Sequence, residues 1–254
     1  MFFTNLLQTN LKTTKIAQEI IYYTRTDSTM DDVWELYREN NSSNILVVTD
    51  NQINGKGQKN NQWFSQPSKS ITCSFLIEDI FKNEKINLYS ILIPVSIVKG
   101  INNLLNIKLD LKWPNDLMFK GKKLGGVLIE SKINNNSNIL NIGIGLNVND
   151  DIFGYPEDLK NNVISLKEII GKPIQRELLL AFILNELEAI INQNNRQKLI
   201  SSWLEYCNHI NKEIRFKLNN KIVEGIFVGV NSLGQAEIKF NNEILEYNNP
   251  IFLI

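Results

Sequence analysis

The chain has 254 residues, of which 43% are apolar and 21% charged, and its 27 basic and 27 acidic residues give a formal net charge of +0. This length and apolar content can bury a full core in one or two domains. A neutral chain has no overall field to draw it to nucleic acid. One histidine and two cysteines exclude a Cys/His zinc cluster and leave His209 alone to serve a Ser-His-Asp triad. Cys73 and Cys207 lie in apolar stretches and are predicted to be buried free thiols.

The N-terminal twenty residues are interrupted by Asn, Gln, Thr and Lys, so they lack the apolar core of a signal peptide. The longest apolar run, Leu88 to Leu105, contains Pro94, Lys99 and two asparagines, which argues against a membrane span. We therefore expect a soluble cytoplasmic protein that does not contact a membrane.

The first 150 residues are predicted to form mostly strands, with few long helices between them. The predicted strands are Ile20–Tyr23, Ile45–Thr49, Ser70–Ile77, Leu109–Trp113, Leu124–Ser131 and Asn138–Val148. Ser28-Thr29 offers an N-cap hydroxyl for a helix that runs to about Glu39. A second helix over Leu88–Leu105 should be kinked or interrupted by Pro94. Asp50–Gln62 is predicted to be a loop, and Asn134-Asn135-Asn136 a turn. The pattern favours a mixed α+β sheet over a regular βαβ array.

The remaining chain changes from helical to strand-like patterning near Asn211. Apolar stripes predict helices over Arg176–Ile191 and Arg196–Tyr206. Five short strands separated by turn residues are typical of a small barrel. They are Glu213–Leu218, Ile222–Val230, Ala236–Phe240, Ile244–Tyr247 and Ile251–Ile254. We therefore predict a domain of residues 1–210 and a small C-terminal β-barrel of residues 211–254.

A glycine-rich loop, Gly55-Lys56-Gly57-Gln58-Lys59, is the first candidate binding motif. Glycines let backbone N–H groups approach an anion closely, and the lysines add positive charge. Trp63 could stack on a ring such as adenine. The motif is not a Walker loop, and by itself it also fits a solvated hairpin tip.

A Trp-Pro-Asn-Asp turn followed by Lys-Leu-Gly-Gly is the second candidate motif. Lys112 to Asp116 directly follow a predicted strand, and Lys123 stands at the start of the next strand beside two glycines. An ammonium there could neutralise a carboxylate and the phosphate that it attacks. The alternative is an Asn-Asp turn with exposed lysines.

Alternate glycines in Ile142 to Asn149 are the third motif. Gly143 and Gly145 clear one face of the predicted strand, either for a ligand or for another backbone. Close packing between strands would explain the same pattern.

Taken together, these segments resemble the biotin–protein ligase family. The resemblance lies in Ser28-Thr29, Gln52 through Trp63, Lys112 through Asp116, Lys123 through Glu130 and Gly143 through Asn147, in that order. It covers about Ile20 to Asn149 strongly, and the C-terminal barrel weakly, through Gly225, Gly229 and Gly234.

The resemblance implies a fold, a reaction and partners. The expected fold is α+β, with a mixed-sheet catalytic domain like that of class II synthetases and a small C-terminal SH3-like barrel. The expected reaction uses ATP to convert biotin to its adenylate and passes biotin to a lysine of a biotin carboxyl carrier domain. Mg²⁺ would accompany ATP, largely through water. No nucleic acid partner is expected, and a homodimer is one option.

The resemblance also implies roles for residues of the motifs. Lys123 and Lys56 are the expected catalytic residues. The residues expected to bind biotin and its adenylate are Ser28, Thr29, Met30, Gln52, Gly55, Lys56, Gly57, Gln58, Lys123, Gly125 and Gly126. Those expected on the nucleotide side are Trp63, Asn115, Asp116 and Asn147. No protein-bound metal is expected.

Two departures from the family pattern have consequences. The loop reads G-K-G-Q where the family has G-R-G-R, so Lys56 lacks the forked donors of arginine and Gln58 lacks the charge. The residues before Ile20 are too few for the N-terminal helix-turn-helix of family members that also act as repressors. We therefore expect a short-form ligase that does not bind DNA specifically.

Two alternatives are kept. A lipoate or octanoate transferase shares the architecture, but that family lacks the Trp-Pro-Asn-Asp and Lys-Leu-Gly-Gly pair. A non-catalytic biotin-binding or DNA-binding regulator is the alternative from another functional class.

Overall fold

The computed structural model describes residues 1–58, 61–78, 87–134, 137–218 and 221–248. The helices there are α1 (Thr4–Asn10), α2 (Thr29–Asn40), α3 (Asn87–Leu105), α4 (Glu157–Lys160), α5 (Leu166–Ile170), α6 (Arg176–Gln193) and α7 (Arg196–Tyr206). The strands are β1 (Glu19–Tyr23), β2 (Ile45–Thr49), β3 (Ile71–Glu78), β4 (Asp110–Lys112), β5 (Asp116–Phe119), β6 (Lys122–Asn134), β7 (Ser137–Leu146), β8 (Lys212–Leu218), β9 (Lys221–Val230), β10 (Ala236–Phe240) and β11 (Glu243–Tyr247).

The larger sheet has seven strands in the order β1-β2-β3-β7-β6-β5-β4. Strands β1 and β2 are parallel because α2 returns the chain to the same end of the sheet, while the other neighbours are antiparallel. This mixed sheet confirms the predicted α+β class.

The larger sheet is covered on both faces. Helix α2 packs Val33 and Trp34 against one face, and the main core with α3 and α6 lies on the other. Every residue of β2 is buried, which explains why Ile45–Thr49 reads as a continuous apolar run.

Helix α3 continues through Pro94 from Asn87 to Leu105, so of the two predicted effects of Pro94 the interruption is wrong and the kink stays a prediction. By length and composition α3 could cross a membrane, contrary to the sequence-based expectation, but 67% of its apolar window is buried inside the protein. It packs against α6, α7 and the sheet, as a core helix does.

The smaller sheet has four antiparallel strands in the order β11-β10-β9-β8, which fits the predicted SH3-like unit. Its buried side chains, such as Ile214 and Phe227, belong to the main core, and the carbonyl of Gly234 accepts a hydrogen bond from the Trp113 indole at 3.4 Å. The predicted strand Ile251–Ile254 lies outside the described residues. The division into domains 1–210 and 211–254 stays a prediction.

Most predicted boundaries agree with the structure, but five elements were missed. These are α1, the short helices between residues 152 and 170, and β5, which begins at Asp116 itself. The turn before β5 contains a cis peptide bond between Trp113 and Pro114. Asp116 is therefore a strand residue paired with Gly126, and it is not a turn residue.

Candidate active site

A cavity of about 320 Å³ opens between the N-terminus of α2, the loop from β2 to β3, and strands β3 to β7. Its described lining contains three lysines, Lys56, Lys112 and Lys123, against a single carboxylate, Asp116. The rest of the lining is uncharged. The cavity is therefore suited to a ligand that is neutral at one end and anionic at the other.

The uncharged end is built where α2 begins. The Thr29 backbone N–H and hydroxyl donate to Gln52 Oε1 at 2.9 and 3.1 Å, and the Thr29 hydroxyl lies 2.7 Å from Ser74 Oγ. Because Oε1 of Gln52 is occupied, its Nε2 amide is the group that can donate to a ligand. Ser28 is the N-cap of α2, but its hydroxyl makes no cap hydrogen bond, contrary to expectation.

The Ser28 hydroxyl is buried and has no hydrogen-bond partner among the residues that the structure describes. It lines the cavity beside Gln52. A buried hydroxyl without a partner is costly, so a polar ligand atom at this place would be stabilised.

The glycines of β7 make room for side chains of the cavity wall. A Cβ on Gly143 would lie 2.8 Å from Met30 Sδ, and a Cβ on Gly145 would lie 2.4 Å from the Trp63 ring. The space that these glycines clear is thus occupied by Met30 and Trp63, and both glycines also line the cavity.

Lys123 forms the charged end together with Asp116. Its ammonium lies 2.6 Å from Asp116 Oδ1, and a Cβ on Gly126 would lie 3.6 Å from Lys123 Nζ. The Lys123 backbone is held by residues 162 to 164, since its N–H donates to the Asn162 carbonyl at 2.8 Å and its carbonyl accepts from Ile164 at 2.9 Å. The ion pair with Asp116 and the backbone hydrogen bonds of Lys123 together hold this ammonium at the cavity.

The glycine-rich loop folds as a hairpin over the cavity. Gly57 donates to the Asn61 carbonyl at 2.7 Å, and Trp63 donates to the Gly55 carbonyl at 2.9 Å. The Lys56 ammonium lies 2.5 Å from Asp31 in the first turn of α2. Lys56 therefore borders the cavity with its charge shared by a neighbouring carboxylate. Lys59 lies outside the described residues.

Comparisons with known proteins identify the family of this chain. The sequence profile of the Biotin/lipoate A/B protein ligase family matches residues 22–149, the segment that carries most of the cavity. The chain belongs to this family. It is 30% identical over 240 residues to the bifunctional ligase/repressor BirA of Bacillus subtilis, covering 92% of this chain and 73% of that protein.

Two solved structures are similar to this biotin/lipoate A/B ligase family member over nearly the whole length of its chain. The biotin protein ligase of Aquifex aeolicus in complex with biotin and ATP is 26% identical, with a TM-score of 0.79 and coverage of 93% of this chain and 98% of that one. The Leishmania major biotin protein ligase in complex with biotinyl-5-AMP is 20% identical, with a TM-score of 0.65 and coverage of 91% and 99%, and shows a shared fold.

Most residues that the sequence assigned to the site of this family member do line the cavity. They are Ser28, Thr29, Met30, Gln52, Lys56, Gly57, Gln58, Trp63, Asn115, Asp116, Lys123 and Gly126. Asn115 also ties its turn to β6, because its side-chain amide donates to the Val127 carbonyl and its own carbonyl accepts from Val127 at 3.2 Å.

Three assigned residues lie outside the lining. Gly55 and Gly125 permit close backbone approach, since a Cβ would lie 2.4 Å from the Trp63 carbonyl and 2.6 Å from the Gly145 carbonyl, respectively. The Asn147 amide donates to the Ile164 carbonyl at 3.1 Å. Asn147 therefore braces the segment that holds Lys123.

Several lining residues were not assigned from the sequence. Thr72 and Ser74 are polar residues at alternate positions of a buried strand, and that pattern could have marked them. Lys112 belongs to the Trp-Pro-Asn-Asp motif, and the sequence indicates no role for it, although it is a third cation of the cavity. Cys73 contributes to the wall, and burial raises the pKa of its thiol to about 12.

Proposed function

We propose that the protein is a biotin–protein ligase, which activates biotin with ATP and transfers it to a lysine of a biotin carboxyl carrier domain. One observation carries the proposal: a single cavity joins the uncharged hydrogen-bonding groups at the start of α2 to the Lys123–Asp116 pair, and Lys56 and Lys112 also line it. Biotin has a neutral ureido ring at one end and a carboxylate at the other, so it matches that polarity.

The uncharged end would hold the ureido ring. Ser28 supplies a hydroxyl without a partner, and Gln52 presents its Nε2 amide because Thr29 occupies its Oε1. These donors suit the carbonyl oxygen of a cyclic urea. Met30 would contact the apolar part of biotin. The sequence placed Trp63 on the nucleotide side, but Trp63 packs on Gly145 next to the contact of Met30 with Gly143, so we propose that it contacts the apolar part of biotin instead.

At the charged end, the biotin carboxylate oxygen attacks the α-phosphorus of ATP, and the bond to pyrophosphate breaks. Two anionic groups must approach each other in this step. The Lys123 ammonium, fixed by Asp116 at 2.6 Å, neutralises both as charge develops. Lys112 and Lys56 add positive charge at the edge of the site.

In the second step, the amine of a carrier lysine attacks the carbonyl carbon of the mixed anhydride. An amide bond forms and AMP leaves. The protein supplies no covalent nucleophile, so its contribution is positioning and charge neutralisation.

Mg²⁺ fits this site only as an ion that arrives with ATP. The described residues contain no group of three or more His, Cys, Asp or Glu that could hold a metal. Mg²⁺ commonly keeps several waters and binds through substrate phosphates and one or two carboxylates, and Asp116 is the carboxylate that lines the described cavity. Its chemistry would be to offset phosphate charge.

A cysteine-dependent octanoyl transferase is disfavoured by the state of Cys73. This thiol is 1% exposed, and burial raises its pKa to about 12, so the nucleophilic thiolate is scarce at neutral pH. Biotin transfer is therefore preferred over octanoyl transfer. A cytoplasmic location and a homodimer as one option remain part of the proposal.

The direct test is incubation of the chain with biotin, ATP, Mg²⁺ and a biotin carrier domain, followed by mass measurement of the carrier. We expect ATP-dependent addition of one biotin to one lysine. Parallel reactions with lipoate and octanoate separate the alternatives, and an unmodified carrier in the biotin reaction would contradict the proposal.

A further inference from the structure

The loop that carries Gln52, Lys56 and Trp63 has two buried stems. It leaves β2 at Asp50 and returns to β3 at Ser70, which are 7% and 4% exposed. We call residues 51–58 and 61–69 the ligand loop. The position of its polar groups in the cavity depends on how firmly these stems are held.

One side chain from a distant part of the chain contacts both stems. Arg176 is the first residue of α6 and is 6% exposed. Its Nη2 donates to Asp50 Oδ1 at 2.9 Å, and its Nη1 donates to the Ser70 carbonyl at 3.0 Å. The planar guanidinium therefore bridges the two ends of the ligand loop.

The surroundings of Asp50 favour a charged partner. Burial alone would raise the pKa of this carboxyl, but the Tyr22 hydroxyl at 2.7 Å and the Arg176 guanidinium together hold the pKa below its usual value. The amino group of Met1 also lies 3.3 Å from Asp50. A buried ion pair of this kind gives geometric specificity more than net stability, because desolvation offsets the attraction.

We propose that Arg176 is a positioning residue for the ligand loop, which acts by clamping Asp50 and Ser70 together. Arg176 is not among the described residues that line the cavity, so it would act through the loop and not through contact with a substrate. The identity of the ligand rests on the proposed function, whereas the clamp itself does not.

Arginine is needed for this clamp because the two acceptors require two donors held in one plane. A lysine keeps the charge beside Asp50 but has a single ammonium on a flexible stem, so it cannot present the same fork. Arg176→Lys thus removes the bridge between Asp50 and Ser70 while it keeps the positive charge beside Asp50.

The experiment measures backbone amide exchange in the full chain and biotin affinity by calorimetry. In Arg176→Lys we expect amides in residues 51–58 and 61–69 to exchange about tenfold faster or more, because a hydrogen bond from a charged group is lost. Biotin affinity should fall by a similar factor. In turnover, the KM for biotin should rise about tenfold while kcat changes less than about threefold.

Two further variants complete the test. Asp50→Asn combined with Arg176→Met removes both buried charges, so it should fold even if a single variant does not, and its ligand loop should also exchange faster. Glu188→Gln perturbs the same helix at its contact with Thr14 to Ile16, far from the loop, and should leave both loop exchange and biotin affinity unchanged.

Unchanged loop exchange in folded Arg176→Lys and in the double variant would overturn the clamp. Faster loop exchange with unchanged biotin affinity would overturn the positioning role. If the unmodified chain neither binds biotin nor modifies a carrier, the proposed function is wrong. In that case the amide exchange of the ligand loop still tests whether Arg176 clamps its two ends.

Discussion

Replacement of Lys123 by alanine should nearly abolish formation of the adenylate while the fold stays intact. Loss of one preorganised donor to a developing charge typically costs about 10²- to 10³-fold in rate. Here the loss should reach the upper part of that range, because Lys123→Ala also leaves Asp116, formerly 2.6 Å away, as an uncompensated negative charge facing the phosphates. The side chain of Lys123 is 38% exposed, so its removal leaves little unfilled core.

The assay is pyrophosphate release from ATP at saturating biotin, with thermal unfolding and biotin affinity measured in parallel. Adding Asp116→Asn to Lys123→Ala provides the matched control, since it removes the unpaired carboxylate and should recover part of the ATP affinity. A Lys123→Ala enzyme that turns over within a few-fold of the unmodified chain would refute the assigned role.

The remaining predictions concern three other positions. Gln58→Arg should slow release of preformed biotinyl-AMP about tenfold, because it adds a charged hydrogen-bond donor. A chase with unlabelled biotin and ATP measures this release, and equal release rates in the variant and the unmodified chain would contradict the prediction. Gly145→Ala should weaken biotin binding and change tryptophan fluorescence, because its Cβ would lie 2.4 Å from the Trp63 ring; unchanged values for both would refute this packing role. Burial, with Lys112 and Lys212 nearby, lowers the pKa of His209 to about 4. The unfolded chain therefore binds a proton at His209 more readily than the folded chain does, so up to about 3 kcal/mol of the free energy of unfolding should be lost as pH falls from about 6.5 to 4. Urea titrations at several pH values should show a smaller loss for His209→Asn than for the unmodified chain.

The sequence by itself determined most of the elements and the order of the motifs. Strand β2 and helix α7 have the predicted limits because burial and apolar periodicity are local properties of the chain. The Trp-Pro-Asn-Asp and Lys-Leu-Gly-Gly segments could be recognised in the sequence as a family pattern. In the structure both segments border the same cavity.

Tertiary structure alone decided which of these residues meet. Asn147 was expected on the nucleotide side, but its amide is bonded to Ile164, a partner that periodicity cannot indicate. Ser74 joins Thr29 across 45 positions of sequence, and Arg176 reaches Asp50 across 126. Such contacts depend on strand order and on the placement of helices across the sheet. A single sequence encodes those relations only through packing of the whole chain, which no local pattern contains.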